Sequence, residues 1–137
     1  MRDDGERPKD LVDHEGWTDL GDNHAFKYFR WAPDRELNPQ YEGIADVPRF
    51  GARVAHLKPD GSPCLEAVHF DLPEVHAVEE ASKRYCLANG IPYGEHYPCW
   101  QVQSWEPLTL SPSLLCNPVK GGCGDHGFIK AGKWVRA

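Results

Sequence analysis

Ala52-Arg-Val-Ala-His-Leu57, Lys58-Pro-Asp-Gly-Ser-Pro63 and Leu65-Glu-Ala-Val-His-Phe70 form the stretch whose reading decides the fold. Two short runs rich in apolar residues flank a segment built from proline, aspartate, glycine and serine. Such residues set or permit the backbone angles of a turn, so the stretch predicts a β-hairpin with a long loop. Outward from it, Phe26-Lys-Tyr-Phe-Arg-Trp31 and Trp100-Gln-Val-Gln-Ser-Trp105 alternate as strands do, the first ended by Pro33. Leu108-Thr-Leu110 and Leu114-Leu115 bracket Ser111-Pro-Ser113, where the proline breaks or bends a strand. Gly127-Phe-Ile129 and Lys133-Trp-Val135 flank Lys130-Ala-Gly132 as a terminal hairpin.

Pro73 to Asn89 reads as the one helix. Pro73 suits a first-turn position, acidic residues lie toward the N-terminal end, and Asn89-Gly90 followed by Pro92 gives the stop. Val75, Val78, Ser82 and Tyr85 fall at helical spacing, with Cys86 beside them. The fold class expected is therefore α+β and mainly β: short antiparallel strands in a sheet or small open barrel, with one helix over about residues 73–89. Residues 1–22 are acidic and read as a partly ordered arm anchored by Trp17. Residues 23–137 read as a single β-rich domain that carries a C-terminal Cys/His motif.

Composition narrows the function classes. The 137 residues carry a net charge of −6, which repels a phosphate backbone and argues against nucleic-acid binding. No apolar run has the length of a membrane span or a signal peptide, so no membrane association is expected. Five cysteines cannot all pair, and the reading is a reduced, cytosolic chain in which a cysteine that does more than pack is a metal ligand or a nucleophile.

Gly121-Gly-Cys-Gly-Asp-His-Gly127 is the most informative chemical motif. Cys123 and His126 lie three residues apart between glycines, a spacing that lets a thiolate and an imidazole share one ion, and that pair suits zinc. Cys116 joins them if residues 117–122 fold back. The fourth ligand is assigned to His76, with His69, Cys64 and Cys99 as alternatives that also need tertiary folding to arrive. The expected metal set is thus Cys116, Cys123, His126 and His76. Against it stands a purely structural reading, preferred on sequence alone, with Cys123 buried and His126 bonded to its own turn.

No catalytic residue is assigned. Cys99 would need His96 or His126 to activate it, and a buried cysteine at a strand start is the simpler account. Asp125 could orient His126, but adjacent side chains usually point apart. Ser111 and Ser113 lack a nucleophile-elbow motif and read as hydroxyls satisfying backbone groups around Pro112. Metalloprotease, deaminase, phosphate-loop and dinucleotide fingerprints are absent.

Trp105-Glu-Pro-Leu-Thr-Leu-Ser-Pro-Ser-Leu-Leu-Cys116, Cys123-Gly-Asp-His-Gly-Phe-Ile129 and Gly132-Lys-Trp134 resemble a family of small uncharacterised phage proteins. Some members of it carry an unjustified ammonia monooxygenase label. Trp31-Ala-Pro-Asp-Arg-Glu-Leu-Asn-Pro-Gln-Tyr41 and Asp60-Gly-Ser-Pro-Cys64 resemble the subset found in phages of actinobacteria. The resemblance spans roughly residues 31–137, and wider relatives lie beside ubiquitin-like conjugation genes in bacteria. Where many relatives have a Cys-Pro-x-Cys knuckle, this chain has Phe70-Asp-Leu-Pro-Glu-Val-His76, with Leu72 and Val75 in place of two thiols.

The function expected from this reading is a phage-encoded, non-enzymatic accessory protein, zinc-stabilised, that binds a host or phage protein in the host cytoplasm. The alternatives are a capsid-decorating component of the virion, and a metal-dependent hydrolase with Cys123 and His126 as ligands and Asp125 or Asp71 as its carboxylate.

Overall fold

The computed structural model describes residues 11–13, 16–58, 60–93, 98–118 and 122–137. Among them run β1 (Leu11–Asp13), β2 (Thr18–Gly21), β3 (His24–Trp31), β4 (Val47–Leu57), β5 (Pro63–Phe70), α1 (Pro73–Ala88), β6 (Cys99–Trp105), β7 (Leu108–Ser111), β8 (Leu114–Leu115), β9 (His126–Lys130) and β10 (Lys133–Arg136). A 3-10 turn at Pro39–Tyr41 lies between β3 and β4. The fold is α+β and mainly β, with two open sheets and one helix.

The hairpin β4–β5 is the centre of a seven-stranded sheet ordered β1-β3-β4-β5-β6-β7, with β2 also paired to β3. In its turn the Asp60 carboxylate accepts from the Ser62 amide at 2.9 Å and from its hydroxyl at 2.6 Å. One pair departs from the antiparallel expectation: β5 and β6 run parallel, His69 opposite Cys99. The connection between them is α1, and a parallel pair needs such a crossover. The second sheet is β10-β9-β8. Its β9–β10 turn places Ala131 and Gly132 at φ +50° and +74°, the two positive angles that a tight two-residue hairpin turn requires.

The large sheet is covered on both faces. On one face Phe26, Val54, Val68 and Phe70 share a core with Leu108 and Leu110 of β7, at the end of the same sheet, and with Leu114, Ile129 and Trp134 of the second sheet. On the other, Phe29, Trp31, Val47 and Phe50 meet Val75, Val78 and Ala81 of α1. The buried stripe of the helix therefore continues through Ala81, not Ser82. Tyr85 is exposed, because the helix runs past the edge of its cluster.

Of the expected N-terminal arm, residues 1–10, 14 and 15 lie outside the described residues. Within residues 16–22, Leu20 enters the core, while Trp17 is exposed beneath the Lys27 ammonium, 4.7 Å from its ring centre. Among the described residues no helix is long and apolar enough to cross a membrane.

Candidate active site and metal cluster

The register of the large sheet creates the first constellation. His24 pairs with His56 across β3–β4, and His56 pairs with Cys64 across β4–β5, so the three lie in one row on one face. The C-terminal segment covers that row. Gly122 bonds back to the Asn117 carbonyl (2.8 Å), Gly124 donates to the Cys116 carbonyl (2.8 Å), and Cys116 donates to the Asp125 carbonyl (2.8 Å). Gly122 has to be glycine for this path, since a Cβ there would stand 2.6 Å from the Cys116 carbonyl. The fold-back places Cys116 and Cys123 over His56 and Cys64.

His56, Cys64, Cys116 and Cys123 thus form a cluster that can hold a metal ion, their ligand atoms all within 4.8 Å of one another. His56 Nε2 lies 3.0 Å from Cys123 Sγ, and Cys64 Sγ lies 3.3 Å from Cys116 Sγ. Burial pushes the Cys116 thiol up to about 12 and lowers His56, so both favour the neutral form in the protein as it stands. Glu66, on the same face of β5, is raised to about 7, first by burial and then by the charge of Asp125.

Asp125 belongs to this cluster. Its Oδ2 lies 2.7 Å from His24 Nε2 and 4.0 Å from His56 Nδ1, while His24 Nδ1 bonds the Asp22 carbonyl at 2.6 Å. His24 is stacked between His56 and Trp134, at ring separations of 5.1 and 4.1 Å. A cavity of about 520 Å³ opens beside the cluster, with His56, Lys58, Cys123, Asp125 and Arg136 among its lining.

Of the four ligands expected from sequence, the structure brings Cys116 and Cys123 together and leaves the two histidines elsewhere. His76 lies on α1, with Nε2 2.5 Å from Asp71 Oδ1 and Nδ1 3.4 Å from Glu79 Oε1, and the Asp71 bond raises its pKa. His76, Glu79 and Cys99 form a separate group that could hold an ion. Strand alternation places it on the helix side of the sheet, since His69 meets Glu79 while Cys64 and Glu66 face the other way. Cys64 is among the alternative fourth ligands expected from sequence, whereas His56 is not. The hairpin offered the signal, because residues 56 and 64 are symmetric about its turn.

His126 supplies the second constellation. Its Nε2 lies 2.9 Å from Ser113 Oγ. In the β8–β9 register Leu114 faces Gly127 and Leu115 faces His126. Ser113 therefore falls diagonally across from His126, within reach of an imidazole on the same face. Both backbones are anchored: Trp100 Nε1 donates to the Ser113 carbonyl at 3.1 Å, and the Ala137 amide to the His126 carbonyl at 3.1 Å. Gly127 lets Trp134 pack flat beneath, since a Cβ there would stand 2.5 Å from the indole. His126 is exposed, Ser113 half-buried.

A hydroxyl and an imidazole in this contact are the parts of an activated nucleophile. In the sequence Ser113 and His126 stand in separate motifs, and nothing there pairs them. Asp125, weighed as a partner for His126, turns away to His24 and His56. Cys99 is an unsuitable nucleophile, for burial, aided by Glu79, pushes its thiol up to about 11. His96, the other histidine considered for it, lies outside the described residues.

Residues 87–137 match the family model described as the bacterial ubiquitination-like system serine protease (BubE). The match covers less than half of the chain and contains Ser113, His126, Cys116 and Cys123. No curated protein and no solved structure matches the chain.

Proposed function

We propose that the protein is a serine hydrolase of the protease type that acts in a ubiquitin-like conjugation system, with Ser113 as nucleophile and His126 as general base. The observation that carries this reading is the 2.9 Å contact between Ser113 Oγ and His126 Nε2, inside the segment similar to a serine protease family. For attack, the hydroxyl donates to an unprotonated Nε2, which places the imidazole proton on Nδ1. Oγ adds to a substrate carbonyl as His126 takes its proton. His126 then returns that proton to the leaving group as the carbon–leaving-group bond breaks. Water, deprotonated by the same imidazole, releases the acyl group and restores Ser113.

The substrate class is a ubiquitin-like protein or its conjugate, the macromolecular partner that the family description suggests for this chain. The resemblance to phage proteins gives the setting: a phage-encoded member that acts on a host or phage protein in the host cytoplasm. The metal-hydrolase alternative draws less support, because four protein ligands around one ion leave no position for a reacting water.

Labelling with a fluorophosphonate, which captures activated serines, tests the reading. Wild type is expected to be labelled at Ser113, identified by peptide mass spectrometry. His126→Gln is expected to slow labelling by about a hundredfold or more, the usual worth of a general base. Wild-type labelling no faster than that of Ser113→Ala would overturn it and leave the other reading, a zinc-stabilised accessory protein that binds without catalysis.

A further inference from the structure

We propose that His56, Cys64, Cys116 and Cys123 bind one zinc ion, and that this ion fixes the segment joining the nucleophile to the base. The positioning half rests on the hydrolase reading above; the metal half stands without it.

Donor chemistry and spacing carry the metal half. Three thiols and one imidazole make a closed Cys3His set, the composition of structural zinc sites. A tetrahedral ion with usual bond lengths holds sulfurs ~3.8 Å apart and a nitrogen ~3.5 Å from a sulfur. The protein holds Cys64 and Cys116 sulfurs at 3.3 Å, His56 Nε2 and Cys123 Sγ at 3.0 Å, and no pair of the four beyond 4.8 Å. An ion therefore enters with small side-chain adjustments. Three thiols lose their protons to solvent as it binds.

An independent observation comes from the far side of the His56 ring. His56 is 4% exposed, and its Nδ1 is buried with no hydrogen-bond partner. That nitrogen faces Asp125 Oδ2 at 4.0 Å. Metal-bound histidines commonly donate their other nitrogen to a carboxylate, which fixes the ring and its tautomer. A bound ion at Nε2 would fix the proton on Nδ1, and a closing of the 4.0 Å gap by roughly 1 Å would make Asp125 its acceptor. The Cys123 amide, 3.4 Å from Cys116 Sγ, is placed to support a thiolate there.

Position along the chain carries the second half. Cys116 follows Ser113 by three residues, and Cys123 precedes His126 by three. The other two ligands stand on the paired strands β4 and β5. One ion thus ties both Cys116 and Cys123 to the large sheet, and with them the strands that set Ser113 against His126.

The test uses untagged full-length protein in reducing buffer, with zinc counted by plasma mass spectrometry. About one zinc per chain is expected in wild type, Ser113→Ala, His126→Ala and His76→Ala, and much less in Cys64→Ser and His56→Ala. Should those two variants fail to fold, cobalt added to metal-stripped wild type is expected to give the intense thiolate-to-cobalt and tetrahedral bands of a sulfur-rich site. Wild type that takes up neither ion, or zinc lost in His126→Ala, overturns the metal half. Stripping zinc is expected to slow fluorophosphonate labelling of Ser113 at least about tenfold, restored on adding zinc, since misplacement by about 1 Å costs that much or more. Labelling unchanged by stripping overturns the positioning half. Zinc held by a protein whose Ser113 never reacts overturns the hydrolase reading and that half with it, and leaves the metal site standing.

Discussion

Cys99 and Ser113 illustrate how surroundings, not residue type, decide which side chain can attack. Cys99 has the more nucleophilic atom, but burial and the nearby Glu79 carboxylate raise its thiol to about 11. A raised pKa withholds the thiolate, so alkylation of Cys99 by iodoacetamide is expected to be far slower than that of a free cysteine at pH 8. It should climb only as the pH approaches 11, as read by timed peptide mass spectrometry. Fast modification at pH 8 would show that the thiol is not held neutral. Consistent with that inert state, Cys99→Ser is expected to leave Ser113 labelling within about twofold of wild type, since it leaves the base in place. Ser113 has the weaker atom but lies 2.9 Å from the His126 imidazole, the base proposed above. Its sequence context, Ser111-Pro-Ser113, gives no hint of this contact, because the imidazole arrives from a strand 13 residues away.

At the level of elements, the short sheet β8–β9–β10 works through two glycines. Gly127 sits where Trp134 lies flat against the strand, with Trp134 wedged in turn against His24. Gly127→Ala is expected to cost about 1–3 kcal/mol, the usual penalty for overpacking, measured as a lower urea midpoint. A midpoint equal to wild type would mean that the indole can retreat. Gly122 serves the approach of Cys123 to Cys116. Gly122→Ala is therefore expected to weaken zinc retention against a chelator while α1 and the large sheet keep their circular dichroism. The terminal hairpin and the helix were legible in sequence, since turn residues and helix caps act locally. The buried stripe of the helix was read one residue off at Ser82, because Ala81 faces the Phe29–Trp31 cluster. Only the packed partner could decide that.

Across the whole molecule, the large sheet is a wall with different duties on its two sides. One face takes α1; the other takes the C-terminal segments and, at its end, the row His24–His56–Cys64. Phe70 is fully buried where β5, β6 and the C-terminal segments meet. Phe70→Ala is expected to cost about 3–5 kcal/mol in denaturant unfolding, from lost burial and the cavity left behind. A cost below about 1 kcal/mol would contradict the packing described.

The sequence by itself determined the hairpin through its loop residues and α1 through Pro73 and Asn89-Gly90. It offered Cys116 and Cys123 as candidate ligands close in the chain, whereas β1 and β2 lie in the stretch that reads as an arm. The hairpin and α1 rest on local backbone preferences and short loops, which a single stretch of chain contains. Only the tertiary structure decided the partners. His56 and Cys64 complete the cluster because strand register puts them in one row beneath the folded-back segment. His126 leaves the thiols because β8–β9 pairing directs its ring to Ser113. His76 remains with Asp71 and Glu79 because α1 packs on the opposite face. The contacts Ser113–His126, His56–Cys123 and His24–Asp125 join residues 13, 67 and 101 positions apart in sequence. Their geometry exists only once the two sheets have closed on a common core.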